Sequence, residues 1–480
     1  MTTLNIGSSR EVFWDDYLLD TEKTTAFHRV MPPVLREVCY TFEDEQHLFN
    51  PSISYPNLMK DDNGYRLYYD PVESGPKKPY IAVAVLESKD GIHWTRPHLN
   101  IVDPPTPDWE VNNIVLGPTM DGAFVFYDQN PACPPEEKYK AVGQARAPHD
   151  GQDSVHGLWC WVSPDGYHFT LSHLLSTKGH FDSLNTMFWA DGKYHCYFRG
   201  FHNIDPNLTI SKATRDVRYM YSEDMYHWSE PVMLAFNDAD DIPLYTNNVI
   251  PYDRAPQVFV GFPVRYIERE KVTDNLRQQK SFQAKTSAAE AFELESDRER
   301  EALVTTDCIF MCSRNGVDWF RYNEAFVTPL LENEDNWVYG DSYLAYHWFD
   351  TDGDIVYLYE VNRAMSYDLP KQLLRYELRK DGFACLMASG EEEIAVTKPL
   401  IFEGSDLHLN FASSAFGYVY VRVLDVDGNP LSDESYELYG NSIDRRVGFL
   451  DKSDFSAFAG KPVRLQFRLR DAKLFSMKFE

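Results

Sequence analysis

Ser88-Lys89-Asp90-Gly91-Ile92-His93-Trp94 is a pattern that this chain repeats. Ser163-Pro164-Asp165-Gly166-Tyr167-His168-Phe169 is a second copy, Ser222-Glu223-Asp224-Met225-Tyr226-His227-Trp228 a third and Ser313-Arg314-Asn315-Gly316-Val317-Asp318-Trp319 a fourth. Arg379-Lys380-Asp381-Gly382-Phe383 is a weaker fifth. The pattern is that of a tight hairpin turn. The Asp or Asn bonds backbone groups of the turn, and the Gly supplies a positive φ. The aromatic that closes the box is a plug for the gap between neighbouring sheets. Each strong copy follows an apolar run, such as Ile81-Ala82-Val83-Ala84-Val85-Leu86 or Cys308-Ile309-Phe310-Met311. Each therefore predicts the turn between the third and fourth strands of a sheet. The boxes start at 88, 163, 222, 313 and 379. Five small antiparallel sheets at that spacing predict an all-β fold, a five-bladed β-propeller. The boxes are structural and receive no chemistry.

The chain has 480 residues, enough for a large core and a second domain. Asp plus Glu exceeds Lys plus Arg by 74 − 46, a net charge of −28. That argues against nucleic acid and anionic membranes as partners and fits a neutral or cationic substrate. Met1-Thr2-Thr3-Leu4-Asn5-Ile6 is not a basic start with an apolar core, and no apolar run has the length of a membrane span. Seven cysteines without framework spacing read as reduced thiols. These features predict a cytoplasmic protein.

The propeller is expected over residues 1–390 and a β-sandwich over 391–480. Val12-Phe13-Trp14-Asp15-Asp16-Tyr17-Leu18-Leu19 and Ala26-Phe27-His28-Arg29-Val30 are candidates for a strand that closes the ring. Blade one is expected from about Asn50, blade two from Asn112, blade three from Asp182, blade four from about Leu244 and blade five from about Tyr339. An insertion in blade four, about 268–304, has helix-forming composition from Ala288 onward. It reads as a solvated decoration, an oligomer contact or a lid, so a homo-oligomer is an open expectation. After residue 390, alternation in Leu407-His408-Leu409-Asn410-Phe411 and in Val463-Arg464-Leu465-Gln466-Phe467-Arg468-Leu469 predicts sandwich strands, with a turn at Asp427-Gly428-Asn429-Pro430.

Innermost propeller strands converge on an axial funnel, so polar residues at their starts meet from distant parts of the chain. Asp182, Asp341 and Glu360 are the candidate catalytic carboxylates. Glu110 is a further carboxylate near the expected funnel. Asn112, Asn113, Arg199, Tyr245, Asn247, Arg265, Trp337 and His156 are candidate substrate-binding groups, and Asn248 stands beside them. Cleaving a glycosidic bond takes one carboxylic acid to protonate the leaving oxygen and a second carboxylate as nucleophile or base. With 74 acidic residues, however, some fall at strand ends only to cap turns. The chain has no Gly-rich phosphate loop, no His-Glu-x-x-His, no Gly-x-Ser-x-Gly and no paired-Cys motif. No cofactor or metal is expected, and an axial cation would find no ligand loop in the sequence.

The layout resembles the five-bladed propeller glycoside hydrolases, the invertase-like, arabinanase-like and mannosyl-phosphorylase-like enzymes. It is more similar to a bacterial group described as glycosyl hydrolases. The residues that carry this resemblance include Phe13-Trp14-Asp15-Asp16-Tyr17-Leu18, Asn112-Asn113-Ile114-Val115, Asp182-Ser183-Leu184-Asn185, Tyr245-Thr246-Asn247 and Phe262-Pro263-Val264-Arg265-Tyr266. Thr397-Lys398-Pro399-Leu400 and Pro462-Val463-Arg464-Leu465 extend it into the sandwich. The resemblance implies carboxylate acid/base catalysis on a small carbohydrate. Invertase-like enzymes place their nucleophile in an Asn-Asp-Pro of the first blade. Here the corresponding stretch is Phe49-Asn50-Pro51-Ser52, without the Asp, so Asp16, Asp182 or another carboxylate must take that part.

The sequence thus predicts a glycoside hydrolase acting on a short oligosaccharide or glycoside. Phosphorolysis, a lyase-like sugar reaction, and a sugar-binding propeller without catalysis are the alternatives.

Overall fold

The computed structural model describes residues 2–42, 52–61, 64–73, 80–103, 112–117, 121–208, 210–283, 302–330, 336–364, 369–451 and 454–480. The described chain is nearly all β and forms a propeller followed by a curled β-sheet. Five sheets succeed one another round a ring. Sheet one holds Ser52–Asp61, Gly64–Glu73, Val83–Ser88 and Ile114–Leu116 from inside out, with Tyr80–Ile81 also on the second strand. Sheet two holds Asp121–Tyr127, Tyr139–His149, Gln152–Ser163 and Thr170–Ser176; sheet three holds Thr186–Ala190, Lys193–His202, Thr214–Ser222 and Val232–Met233. Sheet four begins at Ile250–Pro251 and continues through Phe259–Gly261 with Val264–Glu268, then Val304–Ser313 and Asp318–Val327. Ala235–Phe236 adds a parallel edge strand to it. Sheet five holds Phe349–Asp350, Ile355–Asn362, Gln372–Arg379 and Val34–Thr41.

That last strand closes the ring. The closure is made by 34–41, not by 12–19 or 26–30. Phe27–Val30 instead pairs with Ala384–Val396 in the C-terminal sheet. The start of blade two also differs from the expectation. Asn112 and Asn113 lead into Ile114–Leu116, which pairs with Val83–Ser88 as the outermost strand of sheet one. The inner strand of sheet two starts nine residues later, at Asp121. Ile114-Val115-Leu116 is apolar enough for either role, and pairing rather than composition decides it.

The boxes lock one sheet to the next. In the four strong copies the Ser hydroxyl accepts the amide of the third residue on: Gly91 at 2.9 Å, Gly166 at 2.9 Å, Met225 at 3.0 Å and Gly316 at 2.9 Å. The carbonyl of the left-handed residue then faces the neighbouring sheet. Tyr359 of sheet five donates to Gly91 O at 2.7 Å, Tyr68 of sheet one to Gly166 O at 3.1 Å, and Tyr197 of sheet three to Gly316 O at 3.0 Å. Trp94 and Trp319 are buried beside these contacts, and Trp228 is half-buried. Buried backbone oxygens need such donors.

Amides of asparagine side chains join the inner strands. Asn57 donates to Val125 O at 2.6 Å and Asn185 to Gly122 O at 3.0 Å. Asn247 donates to Leu184 O at 3.2 Å and accepts from Thr186, and Asn248 donates to Leu344 O at 2.7 Å. Backbone bonds between Leu58, Pro56 and Tyr346 complete the circle between sheets one and five.

The C-terminal sheet orders Phe27–Val30, Ala384–Val396, Arg464–Phe479, Leu407–Leu424 and Asn441–Arg446, with Glu11–Val12 on Arg464–Phe479. Ala384–Val396 runs through residue 390 without a break. Leu407–Leu424 and Arg464–Phe479 slip register between Ser413 and Tyr418, which bends the long pair around its own apolar core of Leu409, Phe411, Val421 and Phe467.

Of the blade-four insertion, residues 284–301 lie outside the described residues. The described part carries a short helix, Asp274–Arg277, capped by Thr273 and anchored by buried Leu276, and further helical residues at 280–283. Among the described residues no helix is long and apolar enough to cross a membrane. All seven cysteines are free thiols.

Candidate active site

The inner strands start at one end of the propeller axis, and the side chains there form a funnel of tyrosines, two arginines and two carboxylates. Asp121 opens the inner strand of sheet two. Its successor Gly122 has φ +63°, and a Cβ there would lie 2.1 Å from Ser183 O. Only glycine admits that approach. Asp121 and Asp182, on consecutive blades, are each one residue ahead of that touching pair.

Arg199, in the second strand of sheet three, acts on both. It is 5% exposed and ion-pairs with Asp182, whose side chain is 49% exposed. Its positive charge also acts on Asp121. The two carboxyls therefore differ. Burial pushes the Asp121 carboxyl above its usual value, and the Gly122 amide and Arg199 only partly oppose this. Asp182 is open to solvent and paired to the Arg199 guanidinium. Behind Asp121, Asp70 is buried and accepts from Ala123 N at 3.1 Å. Burial, with the Asp121 charge beyond it, holds Asp70 well above the carboxylate range.

Tyrosines form the opposite wall. Tyr245 Oη lies 2.7 Å from Tyr339 Oη and 3.5 Å from Tyr55 Oη. The Arg199 guanidinium lies 5.3 Å from the centroid of the Tyr245 ring, and the Arg215 guanidinium 3.8 Å from that of Tyr266. Burial raises the phenols of Tyr55, Tyr339 and Tyr343 well above 10, so they stay neutral. Tyr343 Oη is buried without a hydrogen-bond partner, at a cavity of about 20 Å³ shared with Ser54, Tyr55 and Tyr339. That space suits one water. Tyr55 has φ +49°, uncommon for a bulky residue, at a register slip between Ser54 and Asn57. Such strain costs of order 1–3 kcal/mol and is characteristic of sites where geometry is imposed.

The structure thus brings Asp182, Arg199 and Tyr245 together, keeps Asp341 close enough for its charge to act on Tyr343, and sends the other expected residues elsewhere. Glu360 is 1% exposed and sealed between sheets four and five, where Tyr376 Oη donates to it at 2.5 Å. Burial pushes its carboxyl up to about 7. Asp341 is also buried and accepts the Ala364 amide at 2.9 Å, a backbone cap. Arg265 makes two bonds to Asp307, at 2.6 and 2.5 Å, across neighbouring strands of sheet four. Asn112 donates to Val102 O at 3.1 Å. Asn113 donates to Val85 O at 2.7 Å and accepts from Arg96 at 3.0 Å, so both serve the outer edge of sheet one. Asn247 and Asn248 are the inter-sheet clamps described above. His156 is exposed on Gln152–Ser163, and Trp337, just ahead of Tyr339, is 37% exposed. Asp16 pairs with His28 at 3.0 Å by the C-terminal sheet. Glu110 lies outside the described residues.

Sequence reasoning missed Asp121, Tyr55, Tyr343 and Arg215. Asp121-Gly122 has the form of a turn signal. Its one distinguishing mark is the apolar run Ala123-Phe124-Val125-Phe126 that follows. Among the described residues no three His, Cys, Asp or Glu side chains gather in a manner that would hold a metal ion.

No family model matches the chain, and no curated protein matches it. Solved structures do. An N-acetylgalactosamine deacetylase from F. plautii is similar at 12% identity, over 75% of this chain and 96% of that one, with a TM-score of 0.43. An α-L-arabinofuranosidase from Fusarium graminearum is similar at 9% identity, over 74% and 99%, with a TM-score of 0.38. A Bombyx mori GH32 β-fructofuranosidase is similar at 8% identity, over 94% of each chain, with a TM-score of 0.39.

Proposed function

We propose that the protein is a glycoside hydrolase acting on a short oligosaccharide or glycoside, with Asp121 and Asp182 as its working carboxylates. The observation that carries this reading is the Asp121–Arg199–Asp182 arrangement at the mouth of the axis. Two carboxyls from consecutive blades share Arg199, one buried and raised above its ordinary value, the other exposed and ion-paired. Glycosidic cleavage needs that division: one acid to protonate the leaving oxygen, one carboxylate facing the anomeric carbon or its water. Asp121, whose carboxyl burial raises, is the general acid. Asp182, exposed and ion-paired with Arg199, is the nucleophile or base. The hydroxyls of Tyr245 and Tyr339 would bond sugar hydroxyls, and the ring faces beside Arg199 would take the apolar face of a pyranose or furanose.

The test is a screen of aryl glycosides and short oligosaccharides with product detection, repeated on Asp121→Asn and Asp182→Asn. Each substitution is expected to lower turnover by at least about 10²-fold while the protein stays folded. Near-normal turnover in both variants would remove the assignment. Sugar binding with no turnover of any substrate would favour a propeller that binds without catalysis.

A further inference from the structure

The other end of the propeller axis opens into a bowl of about 680 Å³. The C-terminal ends of the inner strands of sheets one to four line it, through Leu58 to Asp61, Val125 to Tyr127, Met187 to Asp191, and Ile250, Pro251 and Asp253, together with Tyr346 and His347 just ahead of Phe349–Asp350 in sheet five. Its floor is apolar, made by Val125, Met187 and Ile250, which are buried. Its rim carries Trp189, Tyr127, Lys60, Asp191, Asp253 and His347. The volume lies in the range of small-molecule sites, and an apolar floor with a few convergent polar groups is their usual composition.

His347 is the residue with the most unusual setting. Its φ is +67°, a conformation that β-strand ends rarely adopt outside glycine. Its Nδ1 accepts the amide of Trp348 at 2.8 Å, which fixes the proton on Nε2. Nε2 lies 3.9 Å from Asp253 Oδ2, too far for a direct hydrogen bond. His347 is 22% exposed and Asp253 is 61% exposed. So a donor with a fixed tautomer and an acceptor lie at the bowl's rim without satisfying each other, and the half-buried Trp189 ring, which packs on Tyr194 at 4.7 Å, is part of the same lining.

We infer that this bowl is a second, non-catalytic saccharide site, taking a neutral mono- or disaccharide with one face on Trp189 and its hydroxyls bridging His347 Nε2 and Asp253. The rim offers donors in His347 and Lys60 and acceptors in Asp191 and Asp253, the mixed set that polyhydroxyl ligands require. A purely cationic ligand would leave both donors unused. The inference does not depend on the reading of the funnel. Its residues lie at the opposite ends of the inner strands, and the site would exist in a protein whose funnel did no chemistry.

The test is ligand-observed NMR of the full chain with the methyl glycosides of glucose, galactose, mannose, arabinose and xylose, and with sucrose, maltose and cellobiose. Spermidine is the cationic control. At least one saccharide should bind to Asp182→Asn and to Arg199→Gln as it does to the parent protein. The same saccharide should bind about tenfold or more weakly to Asp253→Asn, an exposed position where folding is not at stake, and to His347→Gln. Turnover of any substrate found for the funnel should be unchanged in Asp253→Asn. The inference is overturned if no saccharide binds, if spermidine alone binds, or if binding is lost with the funnel variants and kept in Asp253→Asn.

Discussion

Asp381 Oδ1 accepts the hydroxyl of Tyr252 at 2.5 Å, and the Asp381 amide donates back to that hydroxyl at 2.9 Å. Asp381 belongs to the weak fifth box, at the end of sheet five. Tyr252 lies just past the inner strand of sheet four. The same carboxylate accepts from Arg254 at 2.7 Å and from Ser476 at 2.6 Å, and its carbonyl from the Trp14 indole at 3.0 Å. In the other boxes the acid serves its own turn. Here it ties the propeller to the C-terminal sheet and the N-terminal segment. The chain leaves this box not for a fourth blade strand but for Ala384–Val396, which is why the fifth copy departs from the pattern.

The tie is sensitive to acid. Burial raises the Asp381 carboxyl, but the charge and hydrogen bond of Arg254, with Arg10 and Ser476, outweigh it and leave the group below its ordinary value. A carboxyl depressed in the folded state stabilises fully above its unfolded value of about 4 and loses that contribution as pH falls through the folded value. Asp381→Asn should cost about 3–5 kcal/mol at pH 7, because Arg254 and Arg10 lose their buried counter-charge. Its stability should also fall less steeply between pH 5 and pH 2 than that of the parent. Denaturant midpoints across that range check both, and parallel curves would show that the ion cluster is not what holds the two parts.

Glu360 gives the opposite pH dependence. Its raised carboxyl means that the folded protein holds a proton which the unfolded chain releases above about 4.3. The stability present below that value is lost as pH rises through about 7. Glu360→Gln keeps an acceptor for Tyr376 and removes the burial of charge. It should match the parent near pH 4.5, exceed it in denaturant midpoint at pH 8.5, and leave turnover intact. A large loss of turnover in the folded variant would return Glu360 to the catalytic set.

The tyrosine staples can be weighed one at a time. Tyr197→Phe leaves the buried Gly316 carbonyl without its donor and should cost about 1–3 kcal/mol. Gly316→Ala should cost more. Its φ is +78°, and the added Cβ would meet Tyr197 Oη at 2.5 Å. Because the two residues share one contact, the double variant should cost less than the sum of the singles. Strict additivity in thermal or denaturant unfolding would mean that the staple carries no coupling energy.

What could be read from the chain divides along the range of the forces involved. The boxes were legible because Ser88, Asp90 and Gly91 satisfy one another within four residues. The funnel was legible only in part. Asp182 and Arg199 sit on one blade, so their neighbourhood follows from a single hairpin. Asp121 becomes a site residue only through Gly122 packing on Ser183, and Glu360 leaves the site only because its strand turns that side chain toward Tyr376. Both are facts of blade-to-blade packing. The Asn pair at 112–113 misled for a related reason: a strand at a sheet's outer edge and one at its inner edge have the same composition, and the partner strand tells them apart. The closing strand 34–41 carries no box at all.

Arg199 provides the sharpest test of the division of labour in the funnel. Its charge lowers the Asp121 carboxyl, which burial otherwise raises. A general acid works only while protonated, so kcat/KM should fall as pH rises through the Asp121 value and form the alkaline limb of the profile. Arg199→Gln removes a positive charge from beside Asp121, and so the proton should be held to higher pH. The limb should move toward alkaline pH even as overall turnover drops, because Asp182 loses its ion-pair partner. Asp121→Asn should abolish the alkaline limb along with at least about 10²-fold of the rate. The measurement is kcat/KM from pH 4 to pH 10 on an aryl glycoside, with thermal unfolding to confirm folding. An alkaline limb that moves toward acid in Arg199→Gln, or that persists unchanged in Asp121→Asn, would mean that another group delivers the proton.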